Sequence, residues 1–249
     1  MLETLLLSAT GPIRAFTDSD GLGQFIVILQ LVMSVCSWAM MWGKWLEFKD
    51  AQRRSANFVD KLIKRNDILD IYAETAHDGH ASASISEVPM GKVYMNTCKR
   101  LADLVSIDQR QRMAIDPTYR FTLTHKQMDL VESVCAHTVE DELVKLSGSA
   151  MTWIAIFTSA APLFGLLGTV WGVMFAFQSM AASGSADIAE LAPGISSALL
   201  TTVVGLVVAI PSTIGYNLLQ GSLEARSVDL EGFGEDLMGK LRLNYLEDR

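Results

Sequence analysis

Between Leu146 and Leu223 this chain carries only two charged side chains, Asp187 and Glu190. A stretch of that length without Lys, Arg or His cannot be the water-facing surface of a soluble protein. It divides into two uncharged runs, 146–186 and 191–223, each longer than the ~20 apolar residues that cross a bilayer, with a short acidic turn between them. The pattern predicts a membrane hairpin. Its contents narrow the reading further, because Thr158, Gly165, Gly168, Thr169, Gly172, Ser196, Ser197, Thr201 and Thr202 are small or hydroxylated where a simple anchor would carry Leu and Ile. Such a hairpin is built to pack closely against another helix or to line a path.

The rest of the chain is mixed. Half of its 249 residues are hydrophobic, too many for an ordinary soluble domain, yet 19% are charged, so part of it lies in water. A net charge of −8 with dispersed acidic residues gives no clustered Lys and Arg footprint for nucleic acid. Cys36, Cys98 and Cys135 form no CxxC pair, which argues against a disulfide framework or zinc site. His77 and His80 make an HxxH in a loop without a third ligand nearby, so no metal or other cofactor is expected. The N-terminus has no basic n-region or small-residue cleavage site, and the first apolar segment is therefore expected to remain as an anchor.

Read along the chain, residues 1–23, with Leu5, Leu6 and Leu7 ahead of Gly11 and Pro12, are expected to form either an interfacial amphipathic segment on the periplasmic side or a frayed tail, with nothing in the sequence to choose between them. Residues 24–45 form a first span, ending in Trp38, Trp42 and Trp45 at the headgroup level. Lys44, Lys49, Arg53 and Arg54 crowd its C-terminal flank while only Arg14 precedes it, so the positive-inside rule places the N-terminus outside and the C-terminus in the cytoplasm. Residues 46–146 are expected to form a cytoplasmic helical domain with apolar positions such as Phe58, Leu62, Leu69 and Tyr72. A Ser, Ala and Gly-rich loop at 77–91 and the Asp116-Pro117 pair interrupt it.

Thr124 followed by Gln127 predicts a capping box. From there an unbroken helix is expected from about 124 to 178, its 147–178 part being the second span, with Pro162 tolerated inside it. The turn is placed at 179–190 and the third span at 191–220, with Pro193 in its first turn. Leu230, Phe233, Leu237 and Leu241 then recur at helical spacing in a C-terminal amphipathic helix within 221–249. The fold class is all-α, a membrane protein of three transmembrane helices with the second and third extended into the cytoplasm.

Gly165, Gly168 and Gly172 fall on one helical stripe, and Gly205 continues the small-residue series on the returning helix. Glycines at that spacing let two backbones approach closely. Thr169 borders the stripe. It can bond back to the carbonyl four residues earlier, or present its hydroxyl to a path. Ser197, Thr201 and Gly205 at i+4 spacing, with Ser196 and Thr202 adjacent, put hydroxyls on both helices at comparable depth, which suits a pore or a polar partner better than lipid. Trp153 and Trp171 are expected to be packing or interface anchors. No catalytic constellation stands out, and the chain is not expected to be an enzyme.

Three segments carry a resemblance: Gly165-Leu-Leu-Gly-Thr-Val-Trp-Gly-Val-Met174, Ala192-Pro-Gly-Ile-Ser-Ser-Ala-Leu199 and Gly205-Leu-Val-Val-Ala-Ile-Pro211. Together they resemble the signature of the MotA/TolQ/ExbB family of proton-channel motor subunits, and three spans resemble its TolQ/ExbB branch. The likeness is strongest over about 150–220, and the Ser37-Trp38-Ala39 region of the first span extends it. It implies an inner-membrane homo-oligomer, expected to be a pentamer, whose second and third helices line a channel surrounded by membrane lipids. The channel would hold a TolR/ExbD-like single-span partner dimer, and the work of proton flux would pass to a TolA/TonB-like protein. The resemblance makes Thr169 and Thr202 the polar channel threonines; the residue pattern itself adds Ser196, Ser197, Thr201 and Thr158 as expected lining residues, and Gly165, Gly168, Gly172, Pro193, Gly194 and Gly205 as expected helix-packing residues.

The family commonly shows a glutamate where this chain has Ser197. An ionisable group within a membrane is costly and usually functional, so either the partner's aspartate carries the proton unaided or the coupling is altered, for instance to another ion. The preferred reading is the first. Three functions then compete: a proton-channel subunit of Tol-Pal or TonB type, a non-conducting scaffold for partner helices, and, ranked last, a small-solute transporter, which would want a broken helix at the midplane.

Overall fold

A computed structural model describes residues 13–65, 67–76, 85–115, 121–184 and 188–247. Expectations for Leu5 to Pro12, His77, His80, the Asp116-Pro117 pair and Asp187 lie outside the described residues. Among the described residues the main helices are, in order, α1 Gly21–Ile63, α2 Asp70–Ala76, α3 Pro89–Leu104, α4 Ile107–Ile115, α5 His125–Ser183 and α6 Ile188–Tyr245. The only β pairing among the described residues is an isolated parallel bridge between Leu123 and Leu246. Helices α1, α5 and α6 each contain a segment long and apolar enough to cross a membrane.

The chain forms two compact units, and each draws on the three long helices. The first consists of residues 1–44 and 149–220. Asp20 caps α1, its carboxylate accepting a hydrogen bond of 3.1 Å from the Gly23 amide and so serving one of the orphan donors of the first turn. Along α1 the buried positions Ile26, Gln30, Met33, Ser37, Met41 and Lys44 recur every three or four residues, one face of a helix. The opposite face leaves Leu31, Val35, Trp38 and Trp42 exposed, as does α6 with Val203, Val207, Ile210 and Ile214. Exposed apolar surface on this scale marks contact with lipid or other helices.

The second unit consists of residues 45–148 and 221–249, and it has a hydrophobic core of its own. Phe58, Val93, Tyr94, Cys98, Leu101, Val131, Leu230, Leu237 and Leu241 are buried together, with Leu62, Leu69, Tyr72 and Phe233 packed against them. The apolar stripe of the C-terminal helix therefore closes this core. Tyr94 donates its hydroxyl to the Ile68 carbonyl and accepts the Tyr72 amide at 3.0 Å, joining α3 to α2 and the turn before it. Burial pushes the Cys98 thiol up to about 12, the behaviour of an inert core cysteine.

The capping box forms: Gln127 accepts the Thr124 amide at 2.9 Å, and the Thr124 hydroxyl accepts the Gln127 amide at 3.4 Å. Three expectations need correction. The helix beyond it is not unbroken, because Gly148 has φ 59 and ψ 170, a backbone region essentially restricted to glycine. The turn is shorter than 179–190: α5 reaches Ser183, Gly184 takes φ 69 as a left-handed C-cap, and α6 resumes at Ile188. Because α6 starts three residues before the expected 191, Pro193 sits inside the helix, where its missing N–H leaves the carbonyl four residues earlier without a helical donor.

Candidate functional site

Within the first unit α5 and α6 pack antiparallel through the glycines. A Cβ built on Gly172 would stand 2.7 Å from the Ala198 Cβ, and one on Gly194 2.8 Å from the Ala176 Cβ. One on Gly165 would lie 2.9 Å from the Thr202 Cα, one on Gly168 2.7 Å from the Thr201 Cβ, and one on Gly205 2.8 Å from the Ala161 carbonyl oxygen. All are closer than real Cβ contacts come, so none of these positions takes a side chain without moving a helix.

The close approach brings three threonines onto one carbonyl. The Gly165 oxygen lies 3.1 Å from Thr169 Oγ1, 3.0 Å from Thr201 Oγ1 and 2.9 Å from Thr202 Oγ1. Thr169 and Thr202 also hydrogen-bond each other across the helix pair. The Ala198 oxygen lies 3.3 Å from Thr169 Oγ1 and 2.7 Å from Thr201 Oγ1. Each hydroxyl owns one proton, so these contacts cannot all be donations at once. One consistent arrangement has Thr201 donating to Ala198, Thr202 to Gly165 and Thr169 to Thr202. In a second arrangement Thr202 donates to Thr169 and Thr169 bonds back to Gly165, so either hydroxyl can serve as the donor across the helix pair. Thr201 is 1% exposed, whereas Thr169 and Thr202 are half-buried and keep part of their surface on the outside of the unit.

The other expected lining residues lie elsewhere. Ser197 is buried and donates to the Gly194 carbonyl at 2.9 Å. Ser196 is exposed. Thr158 donates to Ala155 at 2.8 Å and sits eleven residues before Thr169, about 16 Å along the axis. Ser197 also lines a small cavity of about 130 Å³ with Asp18, Asp20, Gly172, Gly194 and Ser179. The Asp20 carboxylate there accepts the Trp171 indole N–H at 2.8 Å, so the anchor role expected of Trp171 is a bond to the segment before α1. Carboxylates from that segment share the Ser197 cavity, which sequence spacing could not reveal.

Gln30 is the other residue that sequence reasoning missed. Fully buried, it donates its side-chain amide to the Ala161 carbonyl at 3.1 Å, and a Cβ on Gly205 would come within 2.8 Å of its Nε2. It pins α1 to both helices of the hairpin. A lone Gln in an apolar run was the available signal, since a polar side chain in a membrane segment needs a partner.

These features define an α-helical protein with three potential spans, in which a glycine-packed hairpin buries a threonine cluster. A model of the MotA/TolQ/ExbB proton channel family matches residues 108–232, half of the chain, and the chain belongs to that family. Its relatives lie in the TolQ/ExbB branch. It is 28% identical over 197 residues to the Tol-Pal system protein TolQ of Pseudomonas aeruginosa, covering 77% of this chain and 78% of that protein. It is 25% identical over 228 residues to the biopolymer transport protein ExbB of Neisseria meningitidis, covering 91% and 94%. A shorter match to the ExbB of Xanthomonas campestris reaches 36% identity over 109 residues, 44% of this chain and 43% of that protein.

Proposed function

We propose that this chain is an inner-membrane proton-channel subunit of a TolQ-TolR or ExbB-ExbD type complex, coupling the proton motive force to work on a TolA/TonB-like protein. The observation that carries this reading is the half-buried Thr169–Thr202 pair, set among the glycines through which α5 and α6 pack. A hydroxyl can accept a proton on one lone pair and release its own, so a pair with exchangeable donors can pass a proton or hold a water file beside a partner's helix. In a homo-oligomer, expected to be a pentamer, the exposed edges of these pairs would ring a central path that holds a TolR/ExbD-like single-span dimer. With Ser197 in place of the family glutamate, the titrating carboxylate is assigned to that partner. The flank of Lys44, Lys49, Arg53 and Arg54 supports a cytoplasmic second unit and an outside N-terminus.

The test is co-expression of the chain with its partner, comparing Thr169→Val, Thr202→Val and the hydroxyl-retaining Thr169→Ser. Loss of energised activity in both Val variants with normal assembly, and retention in the Ser variant, is expected. A second reading, a non-conducting scaffold, draws on the fact that all three hydroxyl protons find acceptors within one subunit. On that reading the Val variants lose assembly in step with activity.

A further inference from the structure

Three buried polar atoms of the first unit have no hydrogen-bond partner among the described residues: Gln30 Oε1, Ser37 Oγ and Ser212 Oγ. Gln30 and Ser37 are 0% exposed and Ser212 is 1% exposed, so neither bulk solvent nor a partner chain reaches them. Their places on the helices are related. Helix α6 meets α1 at Gly205, against Gln30, and again at Gly215, where a Cβ would stand 3.0 Å from Met41 Cε. Both contacts advance in the same direction along the two helices, which therefore run parallel. Ser37 follows Gln30 by seven residues, and Ser212 follows Gly205 by seven. The two serines thus fall at one level of the α1–α6 contact, between its two fixed points.

Other hydroxyls of this unit turn back onto their own helices, as Ser159 does to Ala155, Ser179 to Phe175 and Thr213 to Ala209. Ser37 and Ser212 do not. A buried hydroxyl in an apolar surround keeps an open hydrogen bond only at a cost, and buried polar groups without protein partners are the usual seats of internal water. We infer that the α1–α6 contact is a binding site for water inside the single subunit, with one molecule bridging Ser37 and Ser212. Water is the chemistry that fits, since it both donates and accepts and is small enough to lie between two of the shortest hydroxyl side chains. Gln30 Oε1, an acceptor two turns away, takes a donor from a second molecule in the same seam; its orientation is set because its Nε2 is committed to Ala161. The site is separate from the Thr169–Thr202 pair and does not depend on the channel reading.

The test is the melting temperature of the membrane-reconstituted full chain with its partner, for Ser37→Ala, Ser212→Ala and the double variant. A shared water makes the two serines non-additive: each single substitution lowers the melting temperature, and the double lowers it no further than the larger single. An increase in either single variant, as expected when an unsatisfied hydroxyl is removed, or losses that add, would overturn the proposal. A high-resolution density map of the unsubstituted complex gives the second measurement. A separate peak within hydrogen-bond distance of both Oγ atoms supports the site, while two hydroxyls bonded directly to each other or turned onto their own helices refutes it.

Discussion

At the scale of single residues the hairpin depends on atoms that are missing. Gly168 lies under the Thr201 side chain so closely that a Cβ would stand 2.7 Å from the Thr201 Cβ, and overpacking of this kind costs roughly 1–3 kcal/mol or more. Gly168→Val is expected to lower the thermal stability of the reconstituted protein and to separate the Thr169–Thr202 pair. Gly221, with nothing within 4 Å of a built Cβ, is the control, and Gly221→Ala should be neutral or stabilising by up to about 1 kcal/mol. A second residue prediction concerns Glu142, which accepts Lys92 at 2.8 Å and Lys145 at 2.7 Å. Burial alone would raise its pKa, but the two ammonium groups outweigh burial and hold the carboxyl below its ordinary value of 4.5. A carboxyl depressed in the folded state contributes stability above its unfolded pKa and loses it as pH falls through the folded one. Denaturation of the native protein should therefore show a stability loss on acidification below 4.5. Glu142→Gln should be less stable at neutral pH by about 1–3 kcal/mol and lack that part of the acid limb.

The glycines and threonines were legible because their spacing is local to one helix. Gln30 was not: its acceptor is 131 residues away, and no periodicity within α1 announces which helix will supply it. The same limit hid Asp18 and Asp20, which come to the Ser197 cavity from a different segment of the chain.

At the scale of elements, caps were easier to read than breaks. Thr124 and Gln127 predicted the start of α5 within a residue because both halves of a capping box lie in four consecutive positions. The break at Gly148 went unseen, since Ser147-Gly148-Ser149 has no proline and sits in a run that is helical on both sides. Only the backbone, at φ 59 and ψ 170, shows why glycine is there. An L-residue at such angles costs on the order of 1–3 kcal/mol, so Gly148→Ala should either destabilise the protein by that amount, read from its melting curve, or force the break to a new place. Equal stability with unchanged backbone geometry would contradict the assignment. Pro193 went the other way: the sequence suggested the first turn, but α6 begins early enough to enclose it.

At the scale of the whole molecule, charge separates the two units. Residues 149–220 of the first unit carry only Asp187 and Glu190 as charged side chains, while 45–148 of the second hold 14 of the 20 Lys and Arg. That contrast made the three apolar spans and a charged helical remainder legible in the sequence. Family membership, with relatives named TolQ and ExbB, matches the motif reading, whereas the partner, the copy number and the path of the ion are properties of an assembly that one chain's contacts do not encode. The central claim, that the Thr169–Thr202 pair lines a proton path, is tested most directly by proton flux into liposomes holding the purified complex with its partner, under an imposed pH gradient and potential. The account predicts that flux falls at least tenfold in Thr169→Val and Thr202→Val and persists in Thr169→Ser, with all complexes intact by size. Undiminished flux in both Val variants would contradict it.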